Sequence, residues 1–179
     1  MSAVTTKSAE LAERLRLLRN HGQTDKYTHT VIGYCDRLHN LQAALLSVKL
    51  ARLAGWNEAR RAAAQRYSGS LQAIARVRPM GIDDDATPVF HLYVVRLLGR
   101  DAAFRDTVRQ RLAEAGVESG IHYPVPLHLQ PAYAHLGHRP GDFPVAERLA
   151  AEILSLPMFP EITDEQQDHV ASALAAALY

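Results

Sequence analysis

The 179-residue chain is 47% hydrophobic and can bury one ordinary core. Its 20 Lys and Arg residues nearly balance its 19 Asp and Glu residues, and it has no basic run that could follow a nucleic-acid backbone. A single cysteine excludes an internal disulfide, no paired Cys/His spacing predicts a zinc site, and no apolar run reaches the roughly 18 residues of a membrane span. We therefore expect a cytoplasmic protein without metal, nucleic-acid or membrane partners.

The first predicted element is a helix that Ser8 caps and that ends near Arg19. Leucines recur in it at helical spacing, and Glu10 places a carboxylate in its first turn, beside the positive end of the helix dipole. Residues 20–37 follow without a sustained period. They predict a long loop rich in polar and aromatic side chains.

Apolar residues at helical spacing next predict one continuous helix over about thirty residues, within residues 38–70. At 1.5 Å per residue this helix would be roughly 45 Å long, more than a small core needs. We expect it to link two packed bodies or to cross an interface. Its long apolar face also predicts association with a partner.

The second half alternates between strand, helix and loop signals. Residues 89–95 are apolar at nearly every position and predict a strand that is buried on both faces. Asp101 is placed to cap a helix that Gly116 ends, and a short extended stretch follows over 117–123. Four prolines then predict a stiffened loop without regular helix over about 121–143.

Two more helices complete the chain. One is predicted from Ala146 to Ile153 and is broken by the prolines of residues 156–160, and the last begins at a capping box formed by Thr163 and Gln166. These elements predict a helix-rich α/β or α+β domain with a small sheet. Two clear strands are too few for a stable sheet, so we expect further strands upstream.

Chemically useful side chains concentrate in the two loops. They are His21, Lys26, Tyr27, His29 and Tyr34 in the first loop, and His122, Tyr123, His128 and Tyr133 in the second. No nearby carboxylate completes a metal set with His122 and His128, neither common glycine-rich phosphate motif occurs, and the lone Cys35 is more typical of packing than of catalysis. From the residues alone, a binding site and ordinary surface groups are equally good interpretations of the loops.

Short sequence blocks in both halves follow the order and gaps of one enzyme family. The blocks are Leu18–Gly22, Tyr27, His29, Gly33–Tyr34, Arg37–Leu38, Leu41–Ala44, His122–Pro124, Pro126–His128, Gln130–Tyr133, Phe143–Glu147 and Leu156–Pro160. Together they resemble the DegT/DnrJ/StrS sugar aminotransferases, which depend on pyridoxal phosphate (PLP). The resemblance covers nearly the whole chain and corresponds to the C-terminal part of the family's sequence.

The resemblance implies the C-terminal part of a fold-type-I PLP-dependent transferase. In that interpretation, residues 1–37 are the end of the large domain and a loop, residues 38–70 are a linking helix, and residues 71–179 are the small domain. The family is dimeric, so the chain is expected to form a homodimer or a dimer with a full-length homologue. Its substrates would be a keto sugar nucleotide and an amino donor, often glutamate.

The lysine that bonds the cofactor is the residue this resemblance leaves unassigned. Family members bear it before the segment equivalent to Met1, together with the acid that pairs with the pyridine nitrogen and the group that stacks on the ring. The chain has only Lys7, Lys26 and Lys49, and none matches the family position. Since this lysine holds the cofactor and moves the proton, we expect no transamination by the chain alone.

The resemblance also assigns site residues to both loops. Those near the sugar-nucleotide substrate are His21, Tyr27, His29, His122 and Tyr123. Cys35 follows Gly-Tyr, where the family commonly has an Asn that binds the phosphate of the partner subunit's PLP, and a thiol is a weaker donor. Arg37 either anchors the start of the long helix or contacts a phosphate.

Three functional interpretations remain open at this point. The chain is a fragment or truncated form of a sugar aminotransferase, a non-catalytic partner that completes a full-length homologue, or part of a related dehydratase in which histidine replaces the lysine. The sugar, the nucleotide, the ring carbon and the pathway are open in all three.

Overall fold

Two units make up the part of the chain that the computed structural model describes, residues 3–179. The first ends at Arg52 and the second is Leu53–Tyr179. The first unit begins with helix α1, Ala9–Leu18, whose N-cap Ser8 accepts a hydrogen bond from the backbone N–H of Leu11. Arg19 is the C-cap, so the predicted bounds and cap of this helix are confirmed.

The predicted continuous helix of residues 38–70 is two helices in the structure. Helix α2, Asn40–Leu50, ends the first unit, and helix α3, Leu53–Leu71, begins the second. Between them the N–H of Arg52 donates to the carbonyl of Lys49 at 3.0 Å, three residues back instead of four. The prediction of one helix was wrong because apolar residues keep their helical spacing across this tightened turn. The spacing therefore does not reveal the change in hydrogen bonding.

The second unit contains an antiparallel sheet of three strands in the order β1, β2, β3. The strands are β1, Val77–Pro79, β2, Tyr93–Leu97, and β3, Ile153–Leu156. Val95 of the central strand pairs with Pro79 on one side and with Leu154 on the other. Four helices accompany the sheet: α3, α4 (Ala102–Glu114), α5 (Pro144–Glu152) and α6 (Asp164–Ala177).

One face of the sheet carries the core. Because side chains alternate along a strand, the paired residues Tyr93, Val95, Leu154 and Leu156 point to the same side. They pack with buried residues of α3, α4 and α6, which include Tyr67, Leu71, Val108, Leu112, Val170 and Leu174. The helix-rich α/β architecture with a small sheet is thus confirmed.

The strand predictions were partly wrong. Strand β2 begins at Tyr93 instead of residue 89, and only alternate residues of it are buried, with Val94 and Arg96 half-exposed. Burial on both faces was therefore the wrong expectation, because the second face of this sheet is incompletely covered. The stretch 117–123 makes one bridge, between Gly120 and Ser155, instead of a strand.

Helix α5 ends at Glu152, and Ile153 is the first residue of β3 instead of the last residue of the helix. Ile153 continues the helical period, but its pairing with Arg96 of β2 decides its conformation. Glu152 itself is buried, and its carboxylate accepts two hydrogen bonds from Arg96, at 2.9 and 2.6 Å. The junction is therefore fixed by both backbone pairing and an ion pair.

The remaining helix starts agree with the prediction. Asp101 accepts a hydrogen bond from the N–H of Phe104 at 2.9 Å, and Thr163 and Gln166 form the reciprocal capping box. The proline-rich loop contains only two short 3₁₀ turns, Leu127–Leu129 and Pro131–Leu136. None of the helices within residues 3–179 combines the length and apolarity needed to span a bilayer.

Candidate functional site

The first loop folds back against the end of α1 through backbone hydrogen bonds. The N–H of His21 donates to the carbonyl of Tyr34 at 2.8 Å, and the N–H of Tyr34 donates to the carbonyl of Leu18 at 2.6 Å. His21 and Gly22 both have positive φ, at 57° and 68°, which turns the chain sharply after the helix. The loop thus has a defined conformation in which His21 is exposed.

Two segments of this loop cross at Gly22 and Gly33. A Cβ added to Gly22 would lie 1.8 Å from the carbonyl oxygen of Val31, and one added to Gly33 would lie 2.1 Å from the backbone nitrogen of Gly22. Both neighbours are backbone atoms that cannot rotate away. Only glycine fits at either position.

His29 is oriented by the same turn. Its Nδ1 lies 2.9 Å from the carbonyl oxygen of His21, and because a carbonyl only accepts, Nδ1 is the protonated nitrogen. Its Nε2 lies 3.5 Å from the side-chain amide nitrogen of Gln23, a donor that fits the remaining lone pair. The structure therefore brings His21 and His29 together.

Tyr27 stands at the tip of the loop, and the residue is 81% exposed. Asp25 supports this tip by accepting hydrogen bonds from the N–H groups of Tyr27 and Thr28, at 3.0 and 3.1 Å. These bonds, that of Tyr27 first, hold the pKa of Asp25 below its usual value. The Lys26 ammonium lies 5.2 Å from the centre of the Tyr27 ring, within reach of a cation–π contact.

Cys35 and Arg37 lie on the strand-like return of the loop. Cys35 is bridged to Asn20 through the backbone, and its thiol is exposed. Arg37 lines an open cavity of about 440 Å³ together with Arg16 and Arg19. The lining also includes Glu13, so three arginines face one carboxylate, and the net positive charge suits an anionic ligand.

His122 and Tyr123 lie in the second unit, at the start of the proline-rich loop. His122 Nδ1 is 2.9 Å from the hydroxyl oxygen of Ser155 on β3, and the ring meets Tyr123 edge-on with centroids 5.5 Å apart. Tyr123 is 73% exposed. The structure thus presents both candidate residues on one surface.

The His128 side chain, by contrast, is buried against a carboxylate that the sequence did not indicate. Its Nε2 lies 3.0 Å from Glu147 Oε1, and its side chain is only 8% exposed. Both oxygens of Glu147 accept from the N–H of Gly141 at 2.9 Å, and Phe143 packs on the His128 ring at 4.7 Å. His128 therefore holds the end of the proline-rich loop in place.

Within residues 3–179, no three His, Cys, Asp or Glu side chains are grouped as a metal site would require.

The hydrogen bonds of Glu147 predict a pH effect on the stability of the fold. Backbone hydrogen bonds, that of Gly141 first, lower the pKa of Glu147 below its usual value of 4.5. The charged carboxylate therefore stabilises the fold above pH 4.5, and this stabilisation is lost as the pH falls through the lowered pKa of the folded state. We expect acidification to lower the urea midpoint of the wild type more than that of Glu147→Gln, which has no charge to lose. Equal slopes of midpoint against pH in the two proteins would contradict this.

The structure places the three lysines of the chain on its surface. Lys7, Lys26 and Lys49 are all exposed, and only Lys26 has a described side-chain contact, with Tyr27. A Schiff-base lysine is normally desolvated or set beside another cation so that its amine is free to react. The expectation that none of the three bonds PLP stays a prediction.

Comparison with known proteins decides the family. The model of the DegT/DnrJ/EryC1/StrS aminotransferase family matches residues 2–175. The chain belongs to this family. The resemblance inferred from the sequence blocks is therefore confirmed.

Relatives within the DegT/DnrJ/EryC1/StrS family match almost the whole chain. The erythromycin biosynthesis sensory transduction protein EryC1 of Saccharopolyspora erythraea is 47% identical over 97% of the chain and 46% of its own length. The dTDP-3-amino-3,4,6-trideoxy-alpha-D-glucose transaminase of Streptomyces venezuelae is 41% identical over 96% of the chain and 44% of its length. The crystal structure of S. venezuelae DesV superposes with a TM-score of 0.84 at 40% identity, over 96% of the chain and 45% of DesV. The chain thus spans about half the length of these family members.

Proposed function

We propose that the chain is the C-terminal part of a PLP-dependent aminotransferase that acts on keto sugar nucleotides. The observation that carries the proposal is the 41% identity, across 96% of the chain, to a relative whose name is that of a dTDP-sugar transaminase. Glutamate is the proposed amino donor and the cytoplasm the proposed location. Because none of Lys7, Lys26 and Lys49 matches the family's cofactor lysine, we further propose that residues 1–179 transaminate only together with a lysine-bearing segment or chain, here called the companion.

In this proposal the chain contributes binding groups to a site that its companion completes. His21, Tyr27 and His29 of the first loop would lie near a sugar nucleotide bound by the partner subunit, and His122 and Tyr123 would lie on the substrate side of the second unit. Their exposure supports this role, since none of the five needs to leave a core to meet a ligand, and side-chain hydrogen bonds orient His29 and His122.

Arg37 and Cys35 would contact the phosphate of the companion's PLP. Arg37 supports this proposal best, because it lines a cationic cavity and a guanidinium binds phosphate through two parallel hydrogen bonds. Cys35 contributes less, because a thiol donates weakly.

Complementation tests the proposal. We expect the chain alone to give no amino transfer from glutamate to a dTDP-keto sugar, and no pyridoxyl-lysine after incubation with PLP and borohydride. Mixed with a full-length transaminase of the family whose own first loop has been inactivated, it should restore turnover. In the Arg37→Ala chain the restored rate should fall at least about tenfold, the typical effect of losing a hydrogen bond to a charged group.

Arg14→Ala is the matched control, because Arg14 is an exposed arginine of α1 outside that cavity. It should restore turnover as well as the unmodified chain. A stoichiometric pyridoxyl-lysine on the chain alone, with turnover, would contradict the requirement for a companion.

The exposed apolar side chains of α2 favour a second candidate, a non-catalytic partner of a full-length homologue. No residue of α2 is buried, and Leu41 and Leu45 are 73% and 59% exposed. Such a surface is typical of a protein interface. Stable co-purification with the homologue, unchanged by Arg37→Ala and without restored turnover, would favour this candidate over the first.

A further inference from the structure

The His122 ring is held by two residues that no sequence motif identified. Its Nδ1 lies 2.9 Å from Ser155 Oγ, and a Cβ added to Gly120 would lie 2.7 Å from its Cε1. Ser155 is 33 residues away in the chain, on strand β3. The ring therefore packs over a glycine while a strand residue holds one nitrogen.

Ser155 is almost completely buried, at 5% exposure, and its backbone is already paired. Its N–H donates to the carbonyl of Gly120 at 2.7 Å, and its carbonyl accepts from the N–H of Gly120 at 3.0 Å. Among the described residues, the hydroxyl of Ser155 has one hydrogen-bond partner, His122 Nδ1.

This arrangement selects one tautomer of His122. If Nδ1 carried the proton and donated to Ser155, the buried hydroxyl would have no acceptor for its own hydrogen, and an unsatisfied buried donor is costly. If Ser155 donates to an unprotonated Nδ1, both groups are satisfied. The proton of the neutral ring then resides on Nε2, the nitrogen that Ser155 does not contact.

We propose that Ser155 is a positioning residue that fixes His122 in the Nε2–H tautomer, so that His122 offers a hydrogen-bond donor to an oxygen of the ligand. The inference rests on the proposed function, in which His122 contacts a sugar nucleotide. A hydroxyl, carbonyl or diphosphate oxygen of that ligand accepts from Nε2. Gly120 has the accompanying role of leaving room for the ring.

Nitrogen-15 NMR of the ligand-free chain tests the tautomer. At a pH of about 8, where an ordinary imidazole is neutral, we expect His122 Nδ1 to resonate in the unprotonated range and Nε2 in the protonated range. In Ser155→Ala the two shifts should move toward each other, because the Nδ1–H form becomes populated. Ser155→Thr keeps the hydroxyl and should restore the separation.

Two further variants separate positioning from general damage to the fold. Gly120→Ala keeps the hydroxyl but displaces the ring, and should change the shifts as Ser155→Ala does. Ser119→Ala removes a neighbouring buried hydroxyl that has no hydrogen-bond partner among the described residues, and should leave the shifts unchanged. A protonated Nδ1 in the wild type, or unchanged shifts in Ser155→Ala, would overturn the assignment of Ser155.

Titration with dTDP-glucose of the nitrogen-15-labelled chain, mixed with the full-length transaminase used in the complementation test, tests the proposed function separately. We expect the His122 Nε2 resonance to shift on binding, and the affinity to be roughly fivefold weaker in Ser155→Ala, the effect of losing one oriented hydrogen bond. A fixed tautomer with no response to dTDP-glucose would uphold the positioning by Ser155 and overturn the assignment of His122 to the ligand. If the His122 resonance shifted and dTDP-glucose bound Ser155→Ala as tightly as the wild type, only the role of Ser155 in positioning His122 for the ligand would be overturned.

Discussion

Gly33→Ala is expected to disrupt the first loop and with it the candidate site of the N-terminal unit. The added Cβ would lie 2.1 Å from the nitrogen of Gly22 and 2.6 Å from the carbonyl carbon of His21, so the two chain segments must separate. Overpacking of this kind costs about 1–3 kcal/mol, and more where only backbone can move. The amides of His21 and Tyr34 should then lose their protection from hydrogen exchange, measured by mass spectrometry or NMR.

Gly69→Ala provides the control for this prediction. Gly69 lies in helix α3, where an added Cβ meets no atom within 4 Å. Alanine there should stabilise the helix by about 0.5–1 kcal/mol. If Gly33→Ala left exchange at His21 and Tyr34 at the wild-type rate, the close crossing of the two glycines would be wrong.

Leu154→Ala is expected to have the largest effect on the second unit. Leu154 is fully buried in β3, where it pairs with Val95 and packs in the main core. Truncating such a leucine leaves a cavity that costs about 2–5 kcal/mol. Urea unfolding followed by circular dichroism should show this loss as a lower midpoint with an unchanged slope.

The matched control is Leu127→Ala, because the Leu127 side chain is 73% exposed. It should change the free energy of unfolding by less than about 0.5 kcal/mol. A similar effect of the two substitutions would show that β3 is not part of the core.

Helix starts were predictable from sequence because their signals are local. Ser8, Asp101 and Thr163 each bond a backbone N–H three residues ahead, and a short window of sequence contains both partners. The turn at Arg52 was not predictable in the same way, because the residues around it keep the apolar spacing of a continuous helix.

Strands β1 and β3 were missed because their pairing is not local. Val77 pairs with Leu97 and Ile153 pairs with Arg96, far along the chain, and the strands have only three and four residues. Short segments of this kind carry too little alternation to be told from the end of a helix.

For the candidate site, the sequence indicated positions but not contacts. The family resemblance selected His21, His29 and His122 by their place in motifs, and these assignments remain proposals. The partners that orient His122 and bury His128 are Ser155 and Glu147, 33 and 19 residues away. Only the folded chain brings them together, because neither pair has a spacing that marks it.

The direct passage from α5 to β3 makes the chain intolerant of length changes at this one point. A residue inserted between Glu152 and Ile153 would turn every following side chain of the strand to the opposite face. Leu154 would leave the core, and Ser155 would turn away from His122. In an alignment of relatives, gaps are therefore expected in the proline-rich loop and not at residues 152–155. A lack of gaps at residues 152–155 would indicate that the relatives share the function of this junction as well as the fold.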